Sequence, residues 1–194
     1  MSEDWGMSNN FFLSYKLNQK WAIESRSLAA SRNDFNDYFF STGDLGFSYR
    51  FTKHVKVGAS YRVAWWRLGR ETSIENRPLL NFDLSDNFFG YNINNRSRFE
   101  FRFFNDDRSD DVRLRNETRI IFPYQFFGTK PYLEEELFYS FRNSQVDMNW
   151  LSVGLRYGFS KKVKVKLGYR WSARRVGSSF ENRNVLVTGV LFFF

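Results

Sequence analysis

The sequence predicts an all-β chain: a closed antiparallel transmembrane β-barrel of about ten to twelve strands, with short periplasmic turns and longer extracellular loops. Three observations carry that expectation. Polar and apolar residues alternate with period two, as in a strand whose successive side chains point to opposite faces. One parity is charged far beyond what a water-facing sheet needs. Arg96, Arg98, Glu100 and Arg102 share it, and Arg113, Arg115, Glu117 and Arg119 repeat it, with Phe99, Phe101, Phe103, Leu114 and Ile120 opposite. Finally, 24 Phe, 10 Tyr and 6 Trp coexist with a mean hydropathy of −0.53, because alternation dilutes each ring with a polar neighbour. No stretch approaches the roughly 18 apolar residues of a spanning helix.

The elements follow in order. Phe11–Leu17 sets Phe11, Leu13, Tyr15 and Leu17 on one face, and Asn18-Gln19-Lys20 turns it into Trp21–Leu28, where Trp21 and Ile23 oppose Glu24 and Arg26. The loop Ser31–Asp37 leads to Tyr38–Phe51, with Leu45, Phe47, Tyr49 and Phe51 opposite Asp44, Gly46, Ser48 and Arg50. After the turn Thr52-Lys53-His54, Val55–Trp66 is the most regular segment, with Val55, Val57, Tyr61, Val63 and Trp65 against Lys56, Gly58, Ser60 and Arg62. A loop over Arg67–Asn76 precedes Arg77–Leu84, whose Leu80, Phe82 and Leu84 face outward and Asn81 and Asp83 inward.

A connection near Ser85–Gly90 enters the first arginine ladder, and the acidic loop Asn105–Asp111 joins it to the second, Val112–Phe122. Beyond Pro123–Lys130, Tyr132–Arg142 holds Glu134 and Glu136 away from Leu133, Leu137, Tyr139 and Phe141. Glu135 breaks the alternation, as expected near a membrane edge or a bulge. Trp150–Phe159, the turn Ser160-Lys161-Lys162, Val163–Ser172, the loop Ala173–Asn182 and a last strand to Phe194 complete the chain. Tight turns therefore alternate with longer loops. The count is about eleven, whereas single-chain bacterial barrels are normally even. Either a segment is merged or split, or residues 1–8 lie outside the wall.

At 194 residues without a linker, the chain is one domain. Its +8 charge is interleaved with apolar residues and acids rather than gathered in a run, which argues against a nucleic-acid partner. It has no cysteine, so no disulfide framework or thiolate metal site. Met1-Ser2-Glu3-Asp4 is not a basic, apolar leader. Either the chain is not exported or an export signal has been removed, and the barrel pattern favours the second.

The terminal run Val190-Leu191-Phe192-Phe193-Phe194 resembles the C-terminal signal read by the outer-membrane insertion machinery, which makes Phe194 an assembly signal by resemblance. More of the chain resembles an outer-membrane β-barrel family of Gram-negative bacteria catalogued only as a domain of unknown function. The matching pieces are Glu75-Asn76-Arg77-Pro78, Asn95–Arg102, Pro131–Phe138, Gly154-Leu155-Arg156-Tyr157 and Leu167-Gly168-Tyr169-Arg170. The resemblance implies fold and location and brings no catalytic residues.

The candidate site is a lumen network of Glu24, Arg26, Arg50, Arg62, Arg96, Arg98, Glu100, Arg102, Arg113, Arg115, Glu117, Arg119, Glu134, Glu136, Arg156 and Arg170. Buried charges must be paired, and arginine's planar fork suits carboxylates. The leading expectation is a lumen packed by these pairs, in a structural or accessory subunit of an envelope assembly. The rivals are a narrow passage favouring anions and a lipid-modifying enzyme. Two girdles are expected where amphipathic rings meet the interfaces: Tyr15, Trp21, Tyr49 and Tyr157 on one rim, and Trp65, Phe103 and Trp171 on the other.

The single histidine, His54, reads as a solvated turn residue, so neither a catalytic triad nor a metal site is expected, and the chain reads as non-enzymatic. The loop Asp106-Asp107-Arg108-Ser109-Asp110-Asp111 lacks the spacing of a calcium loop. No cofactor is expected. The expected partners are outer-membrane lipid and lipopolysaccharide, the insertion machinery and other envelope proteins. In a soluble lipocalin-like barrel every face assignment would be reversed.

Overall fold

The computed structural model describes residues 5–69 and 71–194. Within them the chain forms β1 (Trp5–Lys16), β2 (Trp21–Arg32), β3 (Asp37–Arg50), β4 (Val55–Leu68), β5 (Glu71–Phe88), β6 (Tyr91–Phe104), β7 (Asp111–Ile121), β8 (Thr129–Ser140), β9 (Gln145–Gly158), β10 (Val163–Val176) and β11 (Ser179–Phe193). These eleven strands close into one barrel in sequence order, each hydrogen-bonded to the next, with β1 against β11.

Ten pairings are antiparallel and the closing one is parallel, running from Trp5↔Asn184 to Ser14↔Phe193. The expected uniformly antiparallel wall is corrected by parity. With an odd number of up-and-down strands, the first and last must run the same way. Gly6, Met7 and Ser8 belong to this seam, so Trp5–Ser8 is wall rather than an appendage, and residues 1–4 lie outside the described residues. At the far end of the seam Phe194 N–H donates to the Ser14 carbonyl at 2.8 Å, and Lys16 N–H donates to the Phe194 carbonyl at 2.8 Å.

The rims also differ from expectation. Strands extend into Arg67–Asn76, Ser85–Gly90 and Ala173–Asn182, leaving short connections at both ends of the barrel. The longest, residues 122–128, lies on the rim expected to carry only tight turns. It is partly a small hairpin, with Phe126 and Thr129 exchanging two backbone hydrogen bonds of 2.9 Å. Its two central residues, Phe127 and Gly128, have φ of 48° and 73°, as does the two-residue turn Phe89-Gly90 at 49° and 82°. Positive φ at both centres matches the right-handed twist of the flanking strands.

Burial runs opposite to a soluble sheet. Among the described residues the buried set contains six hydrophobics (Ala64, Leu79, Tyr132, Phe138, Ala173 and Val187) against sixteen polar or charged residues. Outward Leu45, Phe47, Phe82, Phe99, Phe103, Leu155 and Leu167 are all exposed. The arginine parity is therefore inside, and the lipocalin-like arrangement is excluded. Where a bulky ring lies along the inner wall, glycine makes room. A Cβ on Gly154 would stand 2.8 Å from Tyr132 Cε1, and one on Gly168 would collide with the Tyr132 hydroxyl.

Candidate functional site

Alternation along β6 and β7 sends their arginines inward, and the register brings most of them beside an acid on the neighbouring strand; Arg98, opposite Asn81 and Arg115, pairs with Glu100 of its own strand. Glu100, fully buried, is the centre. Arg113 Nη2 donates to its Oε2 at 2.5 Å, and Arg62, Arg77, Arg98 and Arg115 stand 3.7–3.9 Å away. Glu75 accepts from Arg77 Nε at 2.5 Å, Arg102 Nε at 2.6 Å and Trp66 Nε1 at 3.0 Å. Arg115 reaches Glu136 with both Nε and Nη2. Arg119 donates to both Glu117 and Glu134 at 2.6 Å, and Glu134 also meets Arg170 at 3.5 Å and Lys166 at 3.8 Å. Arg26 and Lys56 share Glu24 at 2.7 Å each.

The links run mostly between strand neighbours along the wall rather than across the lumen. Arg62 binds Asp44, and Arg96 binds Asp83 at 2.5 Å. Inward rings support the guanidiniums: Arg115 lies 4.7 Å over Phe138, and Arg170 lies 4.1 Å over Trp150, which itself packs edge-on to Phe138 at 4.7 Å. Such cation–π contacts are worth about 0.5–2 kcal/mol each.

Fourteen of the sixteen expected network residues are ion-paired in this way, and two correct the expectation. Arg50 ends β3 exposed at the rim, too far along the strand to reach a lumen acid. Arg156 does face the lumen but forms no ion pair among the described residues, because its strand partners are Lys130 and Lys166. Asp44, Glu75, Arg77, Asp83 and Lys56 join the network although the sequence reading does not place them in it. Asp44, Asp83 and Lys56 already carried the signal of inward parity, whereas Glu75 was hidden by reading Arg67–Asn76 as a loop.

The lumen is not filled, which corrects the packed-interior expectation. A cavity of about 880 Å³ remains, lined from Asn143, Asp147 and Gly177 near one rim to Asn92, Arg156 and Phe193 toward the other. Seventeen Lys and Arg side chains line it against five carboxylates. Two things set the imbalance: bases outnumber acids on the inner face, and the shorter acids Glu24, Asp44, Glu75, Asp83 and Glu100 lie against the wall, where longer guanidiniums cover them.

The outer surface carries the expected rings. Tyr15, Trp21 and Tyr157 are exposed at one rim, where Trp21 packs on Tyr49 at 4.9 Å. Trp65, Phe103 and Trp171 are exposed at the other. Phe88, Phe89, Tyr124, Phe126 and Phe127 add a second exposed aromatic group at the first rim. Phe194 stacks on Phe192 outside the seam, with ring centroids 6.3 Å apart. A polar patch with a charged member interrupts the apolar exterior across β6 to β9. Asn95 donates to Thr118 at 2.9 Å, Asn116 donates to Ser97 at 2.9 Å, and Asn149 donates to Glu135 at 3.2 Å. Glu135 is thus an outward charge in mid-strand, and the bulge lies three residues on, between Phe138 and Tyr139.

His54 sits in its turn with Nδ1 3.0 Å from the Ser85 carbonyl. In the acidic loop, Arg108 grips Asp106 through Nε at 2.9 Å and Nη2 at 2.8 Å, and Ser73 also donates to it. Those hydrogen bonds, Arg108's first, hold the Asp106 carboxyl below its ordinary range. Among the described residues no group of three or more His, Asp or Glu side chains is arranged to hold a metal.

A family model described as protein of unknown function (DUF2490) matches residues 5–182. No curated protein and no solved structure matches the chain.

Proposed function

The chain belongs to the family described as protein of unknown function (DUF2490), and from that premise we propose that it is a non-enzymatic, integral outer-membrane β-barrel of Gram-negative bacteria. Its role is structural, as an accessory subunit of an envelope assembly, and the lumen network stiffens it. The observation that carries this reading is inverted polarity: exposed Phe, Leu and Val outside, sixteen buried polar or charged residues inside. A closed sheet with an apolar exterior is the one β arrangement hydrocarbon tolerates, since every backbone group is paired. The aromatic girdles support it, because such rings settle at membrane interfaces. The outward patch around Glu135 supports the accessory role, since a carboxylate facing lipid is costly unless a partner covers it.

Adjacent residues give the test. Trp65 faces outward, and Trp66 faces inward with its indole N–H on Glu75. In liposomes containing brominated lipid, a variant keeping only Trp65 is expected to be strongly quenched and one keeping only Trp66 to be spared. Equal quenching, or a monodisperse chain in plain buffer without detergent, would overturn the membrane assignment. A second reading, a narrow anion-leaning passage, is favoured by the cavity and its seventeen cations against five carboxylates.

A further inference from the structure

Near the rim that carries the turn 159–162, the network runs out of acids. Lys130, Arg156 and Lys166 are directly aligned on β8, β9 and β10, and Lys164 follows two residues along the inner face of β10, opposite Gly158. Like charges placed directly opposite one another destabilise a sheet. Only Lys166 reaches a carboxylate, Glu134 at 3.8 Å, and that acid already serves Arg119 and Arg170. Among the described residues neither Arg156 nor Lys164 forms an ion pair, and both line the cavity half-buried. The charges acting on Lys164 are Arg156 and Lys130, both of its own sign.

The remaining contacts hold this group in place. Lys164 lies 5.1 Å over the Phe193 ring and Lys166 lies 5.9 Å over Tyr132. Lys166 also packs on Gly189, where a Cβ would come within 2.8 Å of its Cγ. The cluster is thus a set of partly desolvated cations held together by the sheet register and facing a cavity.

We propose that Arg156, Lys164 and Lys166 form a binding site in the lumen for a small multivalent oxyanion of the phosphate class. A guanidinium presents two parallel N–H groups to such an anion and the ammonium groups add point charges, whereas a monovalent halide gains neither the fork nor the double charge. The site belongs to the interior of the closed sheet. It requires neither membrane insertion nor conduction, so its failure and the failure of the membrane reading are separable.

The probe is inorganic phosphate, titrated by calorimetry into the purified full-length barrel at constant ionic strength set with chloride. A short-chain phosphatidic acid below its critical micelle concentration serves as the lipid-borne phosphate. Saturable binding of free phosphate is expected, weakened at least tenfold in R156Q/K164Q and unchanged in R174Q, which lies toward the opposite rim. Far-UV circular dichroism checks that both variants keep the strand signal. If R156Q/K164Q fails to fold, R156K alone, which keeps the charge and loses the fork, is expected to weaken binding severalfold. Binding only of the lipid-borne phosphate, equal binding by the variants, or no saturable heat would each overturn the site.

Discussion

Glu100 stands where five arginines meet, and its side chain is completely buried. Removing a buried charge costs more than its pairing energy, because the partners are left uncompensated. Glu100→Ala leaves Arg113 without the acid that it binds at 2.5 Å, takes from Arg98 the acid it pairs with among the described residues, and leaves Arg62 with Asp44 alone. The expected loss is about 3–5 kcal/mol, read as a lowered urea midpoint of the detergent-solubilised barrel. Glu181→Ala is the control: Glu181 is exposed near the other rim, and a change within about 0.5 kcal/mol is expected there. Equal shifts for the two variants would mean that the lumen network is solvated and contributes little.

At the scale of the strand, period two assigned the faces correctly wherever a strand was recognised, which is why Arg96, Arg98, Glu117 and Arg119 were readable as neighbours. What period two does not encode is how far a strand runs. Thr72, Ile74 and Asn76 alternate with Ser73 and Glu75, but too few are apolar to separate the faces, so the pattern reads as a loop and does not show Glu75 facing inward. The parallel seam joins residues almost the whole chain apart, and no local pattern records that. Nor could the cavity be read, since it depends on how far each guanidinium reaches over the acid beneath it.

Glu135 is a place where face and chemistry conflict: an outward carboxylate between Thr118 and Leu151, hydrogen-bonded by Asn149. For a barrel surrounded only by lipid, Glu135→Leu is expected to stabilise by about 1–2 kcal/mol, within the range charged groups cost on a lipid face. Equilibrium unfolding in liposomes measures it. Destabilisation there would mean that this face is not in contact with hydrocarbon.

For the whole molecule, the decisive quantity is the difference between the charge of the network and the charge its lumen presents. Seventeen cations and five carboxylates line the cavity, an excess that comes from the surplus of inward bases and is widened where longer guanidiniums cover shorter acids. An ion inside therefore meets a positive surface. Screening reaches about 8 Å at physiological salt, so the surface acts across a narrow lumen but weakens as salt rises. If the cavity is continuous through the barrel, planar bilayers are expected to give small steady currents with a reversal potential favouring chloride over potassium. That preference should fade in molar salt. Arg156→Glu, which inserts an acid beside Lys130, Lys164 and Lys166, should move the reversal potential toward potassium without changing the paired centre around Glu100. An absence of steady currents across preparations that pass the lipid-quenching test would show that the lumen is closed to ions in the bilayer. The network would then act only as scaffold, and the anion-passage reading would fail while the oxyanion site and the membrane reading stood on their own measurements.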